Sequence, residues 1–268
     1  MKAKLTQVKE KLTQVKANNK IFCIICFVSV SILIWSLSRN KFVEKFENKE
    51  KISVIILNYN RPHNLEKNLP FLNEIDIIDE IIVSHGNPKY YKEFKYSKVK
   101  NIKDYENNDI YGGARRFLNI KYVKNNIILF MDDDMYIDNE NVYKLYNKLI
   151  ENYNKNTIYG PFKRNCTKNG YKTNSVNNNS ILPGLSLIKT IVIKEYLNNK
   201  LGWKKYENWL KEHKGNCEDL SLNIFIREYY KENPVYVNIK YKDLDMSNGY
   251  SSDSGHYKLR DKFCKLYN

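Results

Sequence analysis

The sequence is short of cysteine and of negative charge. Of its 268 residues five are Cys, and two of these, Cys23 and Cys26, fall in an apolar segment near the N-terminus. Cys166, Cys217 and Cys264 remain, and an oxidising compartment permits one disulfide among them. The charge deficit is 30 Asp+Glu against 45 Lys+Arg, a net of +15, which favours anionic partners such as nucleotide sugars, phospholipid surfaces or acidic glycans. The excess runs through a chain rich in Lys, Asn, Ile and Tyr and reads as compositional bias. No RNA-binding or helix-turn-helix signature gathers it, so no nucleic-acid partner is expected. The acidic stretch at residues 132–143 lacks the central Gly and closing Glu of an EF-hand, which excludes that calcium site.

Long uncharged runs are also scarce. Residues 21–37 form one, and as a helix they would span roughly 26 Å at about 1.5 Å per residue, enough for a thin bilayer such as that of the ER or Golgi. Ahead of it Lys2, Lys4, Lys9, Lys11, Lys16 and Lys20 face Glu10 alone, which places the N-terminus in the cytosol by the positive-inside rule. The expected layout is a cytosolic basic tail (1–20), a transmembrane signal anchor (21–37), a stem (38–51) and a lumenal domain (52–268). A cleaved signal peptide ending at the small-x-small site Ser36-Leu37-Ser38 is the competing reading. In both cases the bulk of the chain is lumenal or extracellular, and the sequons at Asn165 and Asn178 agree with that.

From Ile52 the texture changes to strands alternating with helical stretches. Residues 52–57 (ISVIIL), 81–83 (IIV) and 126–131 (NIILFM) read as short buried strands, with helices at 64–72 and 142–153 between and after them. This rhythm predicts an α/β domain whose central, mainly parallel mixed sheet is covered on both faces. Further helices are expected at 190–198, 203–213 and 219–230, and a strand at 235–239. Trp203 and Trp209 are the aromatics assigned to an acceptor-side helix.

Asp132-Asp133-Asp134 follows the third strand directly. Ligands bind at the C-terminal strand ends of open α/β sheets, and a hard cation shared with a diphosphate takes one or two carboxylates. A solvated acidic turn is the bland alternative. A second acidic pair, Glu218-Asp219, opens a helix, where acids also meet the helix dipole favourably. Together a strand-end metal site and a distant carboxylate are what group transfer from a diphosphate donor requires. Arg115 and Arg116, in Gly112-Gly113-Ala114-Arg115-Arg116, and Arg61 after the first strand offer donor forks suited to phosphate or carboxylate. His256 is a lone histidine that could reach a metal or a diphosphate, but such a residue is more often structural.

Taken in order, the first strand with Asn58-Tyr59-Asn60-Arg61, then IIVSHGN, GGARR, NIILFMDDD, NCEDLSLNIFI and SNGYSSDSGHYKLRDKFC, resemble the GT-A-fold glycosyltransferases. The resemblance is greatest to the exostosin-type glycosyltransferase family 64, over about residues 52–264, and its specificity lies in combining CEDLSLN with the C-terminal GYSS…GH…C segment. It implies a single GT-A (Rossmann-like) catalytic domain. It also implies a UDP-sugar donor, Mn²⁺ dependence with Mg²⁺ as the substitute, and transfer of an N-acetylhexosamine (GlcNAc or GalNAc) with retention to a glycan or glycoprotein hydroxyl. By position Asp132 and Asp133 match the metal and ribose motif, and Asp134 the direct metal ligand. Asp219, with Glu218 beside it, matches the acid near the reacting sugar. Arg116 and Arg115 match the nucleotide side, and Asn60 and Arg61 close the first-strand motif. His85 stands where the family places an Asn. Cys217 and Cys264 match a cysteine pair that is bridged in the family, closing a loop of about 47 residues. GGARR is also similar to family 2 transferases, which invert; there Asp219 would be the general base. A non-catalytic nucleotide- or glycan-binding subunit is the alternative of a different class.

Overall fold

The structure is a computed structural model that describes residues 50–173, 178–246 and 255–268. The expected tail and anchor, most of the stem, and residues 247–254 of the C-terminal motif lie outside the described residues. Among those described, no helix is long and apolar enough to cross a membrane.

The expected strands form. β1 (Ile52–Asn58), β2 (Ile78–His85), β3 (Val99–Lys103) and β4 (Ile127–Asp132) are joined by α1 (Pro62–Glu74) after β1 and, before β4, by α2 (Tyr105–Tyr111) and the short α3 (Arg115–Leu118). There follow β5 (Met135–Tyr136), α4 (Asn139–Glu151), β6 (Ile158–Gly160), β7 (Lys163–Thr167), β8 (Gly170–Lys172), β9 (Ser180–Ile181) and β10 (Leu185–Lys189). The chain continues through α5 (Thr190–Asn198), α6 (Trp203–Glu212), α7 (Glu218–Phe225), β11 (Val235–Tyr236), β12 (Lys242–Asp243) and α8 (His256–Tyr267). The seven-stranded main sheet runs β11-β6-β10-β4-β1-β2-β3. β1 is parallel to β2 and to β4, β2 to β3 and β11 to β6, while β10 is antiparallel to both its neighbours.

Alternation along β4 explains the layering. Ile127, Leu129 and Met131 join a core on one face with Val54 and Ile56 of β1, Leu65 and Leu69 of α1 and Leu145 of α4. Ile128 and Phe130 join a second core on the other face with Ile55, Phe117, Tyr196, Trp209, Leu220 and Phe263. A parallel strand covered on both faces has no polar side, which is why 126–131 reads as an unbroken apolar run. β1 continues to β2 and β3 on one side, and the chain then returns to place β4 on the other. That reversal opens a crevice between the C-terminal ends of β1 and β4.

Three expectations are corrected. The disulfide joins Cys166 to Cys264, with Cα atoms 5.2 Å apart, and Cys217 is a buried free thiol. The reason is placement: Cys166 on β7 faces α8, which packs on β7 and β8, whereas Cys217 is held at the start of α7 with its Sγ on Asn216 Oδ1 at 3.5 Å. Trp203 and Trp209 are both 6% exposed; Trp209 Nε1 donates to the Asn216 carbonyl at 3.1 Å, so the pair supports the core and the loop before α7 and lines no acceptor surface. The single helix expected at 219–230 ends at Phe225 and continues as a π turn, Ile226–Tyr230, closed by Lys231 at φ 58°.

Candidate active site

The parallel register brings the ends of β1, β2 and β4 to one edge: Asn58 lies beside His85, and Leu57 beside Asp132. Arg61 follows β1 as the N-cap of α1, where Pro62 opens the helix and Arg61 makes no side-chain cap bond. Its head therefore crosses the crevice. Nη1 donates to Asp134 Oδ2 at 2.9 Å and Nη2 to Asp133 Oδ1 at 2.5 Å. Asp133 is sealed in, and burial pushes its carboxyl up to about 7 against the pull of Arg61. Burial, reinforced by Asp132, also raises Asp134. Asp132 points elsewhere: Oδ1 accepts from Arg116 Nη2 at 2.8 Å, and its side chain is 38% exposed. Asn60 is half-buried in the bend before Arg61.

Arg116 links this edge to α7. Its Nη1 donates to the Pro183 carbonyl at 3.2 Å, and its Nε lies 3.8 Å from Glu218 Oε1. Burial lowers its affinity for the proton, but Asp132 and Glu218 more than offset that, so it is held charged. Burial, then Asp219, pushes Glu218 up to about 7. The adjacent Asp219 is 2% exposed. Its Oδ2 accepts from Arg260 Nη2 in a close ion pair, while its Oδ1 is buried without a hydrogen-bond partner. Arg260, on α8, lay outside the sequence reading. Its partner is 41 positions away, and only the register of α8 would have pointed to it.

A loop of unusual backbone mounts the α7 acids. Lys214 (φ 46°) and Cys217 (φ 78°) are left-handed without being glycine, a conformation that costs of order 1–3 kcal/mol and clusters at functional sites. Gly215 lies against the 111–114 turn so closely that a Cβ there would meet the Tyr111 carbonyl oxygen at 1.9 Å, and one on Gly112 would meet the Lys214 oxygen at 2.2 Å. Gly112 of GGARR and Gly215 thus let two backbones touch, and that contact sets Glu218 beside Arg116.

Two predicted binding residues are placed differently. Arg115 is buried and braces the strand ends: Nη2 donates to the carbonyls of Asn58 and Ser84, each at 3.2 Å, and Nη1 to Asn108 Oδ1 at 2.6 Å. Burial lowers its guanidinium to about 10. His85 is fully buried. Its Nδ1 accepts from Asn58 Nδ2 at 3.0 Å and its Nε2 donates to Asn101 Oδ1 at 3.1 Å, and burial lowers its pKa. Each satisfies polar groups beneath the crevice. His256 opens α8 with its ring 5.1 Å from that of Tyr257.

Among the described residues no group of three His, Cys, Asp or Glu side chains is arranged to hold a metal ion. Asp132 and Asp134 each keep one carboxylate oxygen outside their arginine pairs. Carboxylate oxygens are the ligand type a hard cation takes beside phosphate and water.

Acids thus lie at the reversal point of a mixed sheet, with an arginine leading from them to a second buried acid. The family model described as Glycosyl transferase family 64 domain matches residues 52–268, and the chain belongs to that family. No curated protein sequence matches the chain. A solved structure, described as the crystal structure of S. aureus TarS, aligns at 18% identity and a TM-score of 0.45 over 73% of this chain and 37% of that one.

Proposed function

We propose that the protein transfers an N-acetylhexosamine, GlcNAc or GalNAc, from a UDP-sugar to a glycan or glycoprotein hydroxyl with retention, on a GT-A-type domain. The observation that carries this reading is Asp219, a buried carboxylate with one oxygen fixed by Arg260 and the other unpartnered. A fixed anionic oxygen in a site closed to water is suited to stabilising a cationic sugar centre or forming a transient adduct with it. Arg116 would hold the nucleotide side and Arg61 would orient Asp133 and Asp134. Asp134 and Asp132 would hold a Mn²⁺ or Mg²⁺ ion, which when bound offsets the charge of the departing diphosphate. The proposal includes a lumenal domain anchored in the ER or Golgi membrane through residues 21–37.

The test is a UDP-sugar panel with Mn²⁺, run on the wild type beside Asp219→Asn and Asp134→Asn. Asp219→Asn is expected to retain UDP binding and lose turnover by roughly three orders of magnitude. Unchanged turnover in both variants would sink the assignment, and NMR of the product anomer reads retention directly.

A further inference from the structure

The main sheet ends at β3, which pairs with β2 alone. Ile81 N–H donates to the Lys98 carbonyl at 2.7 Å and Asp104 N–H to the His85 carbonyl at 2.9 Å, so the main-chain groups of the even-numbered residues face β2. In a parallel ladder those of the residues between them face the other way. The Val99 N–H is taken by the Tyr96 carbonyl at 3.0 Å, but among the described residues the main-chain groups of Asn101 and Lys103 have no partner. The edge is held rigid, because the Asn101 side chain accepts from the Phe94 N–H at 3.1 Å and donates to the Phe94 carbonyl at 2.9 Å, fastening the preceding loop to the strand.

Charge flanks this edge on both faces. Residues 87–103 carry six lysines against Glu93 alone. Side chains alternate along a strand, so Lys103 shares the face of Val99, which packs on the α1 core, and Lys100 shares the opposite face with Ile102. Nearby, Lys92 and Lys124 are paired with Glu66 and Asp79. Lys89, Lys100, Lys103 and Lys121 make no ion pair among the described residues and lie over tyrosine rings instead. Lys103 Nζ is 4.9 Å from the Tyr91 ring centre and Lys89 Nζ 5.4 Å from that of Tyr90, while Lys100 and Lys121 share Tyr122, each at 5.0 Å. A ring face positions an ammonium without neutralising it.

Lysines on an open edge deter a second copy of the same edge, and equally the basic segment at residues 1–20, because like charges would face each other. An acidic strand meets no such obstacle. An acidic glycan would match the charge but make no use of main-chain groups set out at strand spacing. We propose that the β3 edge binds an extended acidic peptide segment of a partner protein as an added strand. Its main chain would pair with Asn101 and Lys103, and its carboxylates would lie against Lys89 and Lys103 on one face and Lys100 and Lys121 on the other.

The experiment is a fluorescence-anisotropy titration of the full-length protein with a labelled peptide of alternating glutamate and valine. A second titration uses the same peptide N-methylated at every residue, which keeps each charge and removes each amide donor. The parent peptide is expected to bind the wild type, and the N-methylated one to bind about ten-fold more weakly. The parent peptide should also lose about ten-fold on Lys100→Glu, which reverses a charge at an exposed position. Lys103→Pro removes an outward N–H from an edge strand, where proline is tolerated, and should bind the parent peptide more weakly than Lys103→Ala. Equal binding of the two peptides overturns the added strand and leaves a surface that reads charge alone, as an acidic glycan would use. The proposal is also overturned by undiminished binding to Lys100→Glu, or by no binding of the parent peptide to the wild type.

Discussion

The acids at the end of β4 and the acids at the start of α7 are built on opposite plans. The first set sits on a regular parallel strand, follows an apolar run and stays partly open, with Asp132 38% exposed at its side chain. The second sits on a contorted loop and is sealed by Arg116 and Arg260. An open acid can exchange partners with a ligand at little cost. A sealed one is held in place whether or not a ligand is present. Under the proposed function, the first set would hold the donor and the second would present a fixed group to the reacting centre.

The largest effect should come from unsealing the second set. Arg260→Met leaves Asp219 buried and unpaired and is expected to cost about 3–5 kcal/mol in urea denaturation. Arg61→Met should cost about 1 kcal/mol, because its head is 13% exposed and Asp133, already raised to about 7, can take up a proton instead. Equal costs would erase the contrast. Next, Cys166→Ser is expected to lose about 2–4 kcal/mol, whereas Cys217→Ser should keep the bridge, as read by mass spectrometry of non-reduced peptides. A bridge lost in Cys217→Ser would return the pairing to that cysteine.

A smaller effect concerns pH. Glu218 titrates near 7 in the fold against 4.5 in the free side chain, so the folded state binds more protons over that window. The stability this contributes is full below about 4.5 and lost as pH rises through about 7. Thermal melts at pH 5 and 8 should show wild type losing up to about 2 kcal/mol more than Glu218→Gln; parallel losses would place the carboxyl in an ordinary environment. The smallest expected effect is at the open set. Mn²⁺ with UDP at roughly ten times their Kd should stabilise the wild type by about 1.4 kcal/mol and Asp134→Asn by much less. Equal stabilisation of both would remove Asp134 from the metal.

The strand-end set was legible in the sequence because its strand is. β1 and β4 are apolar runs covered on both faces, and α5 falls at residues 190–198 as expected. β3, with sequence VKNIK, is an edge strand with two exposed lysines, so it carries no comparable signal. β10 follows Pro183-Gly184 and is antiparallel to its neighbours, outside the βαβ rhythm. The α7 acids could be named, but the features that make them distinctive could not. Arg260 and the touching turns depend on long-range contacts, and the disulfide depends on β7, a polar strand that periodicity does not reveal.

Those touching turns bear on how the sequence can change. At Gly112 and Gly215 no side chain fits while the opposite backbone stays where it is, and both residues have positive φ. A substitution at one cannot be accommodated by a compensating side chain at the other, since what it strikes is main chain. Neither position can therefore change while the two turns stay in contact. The spacing between Arg116 and Glu218 is thus kept by the absence of two methyl groups.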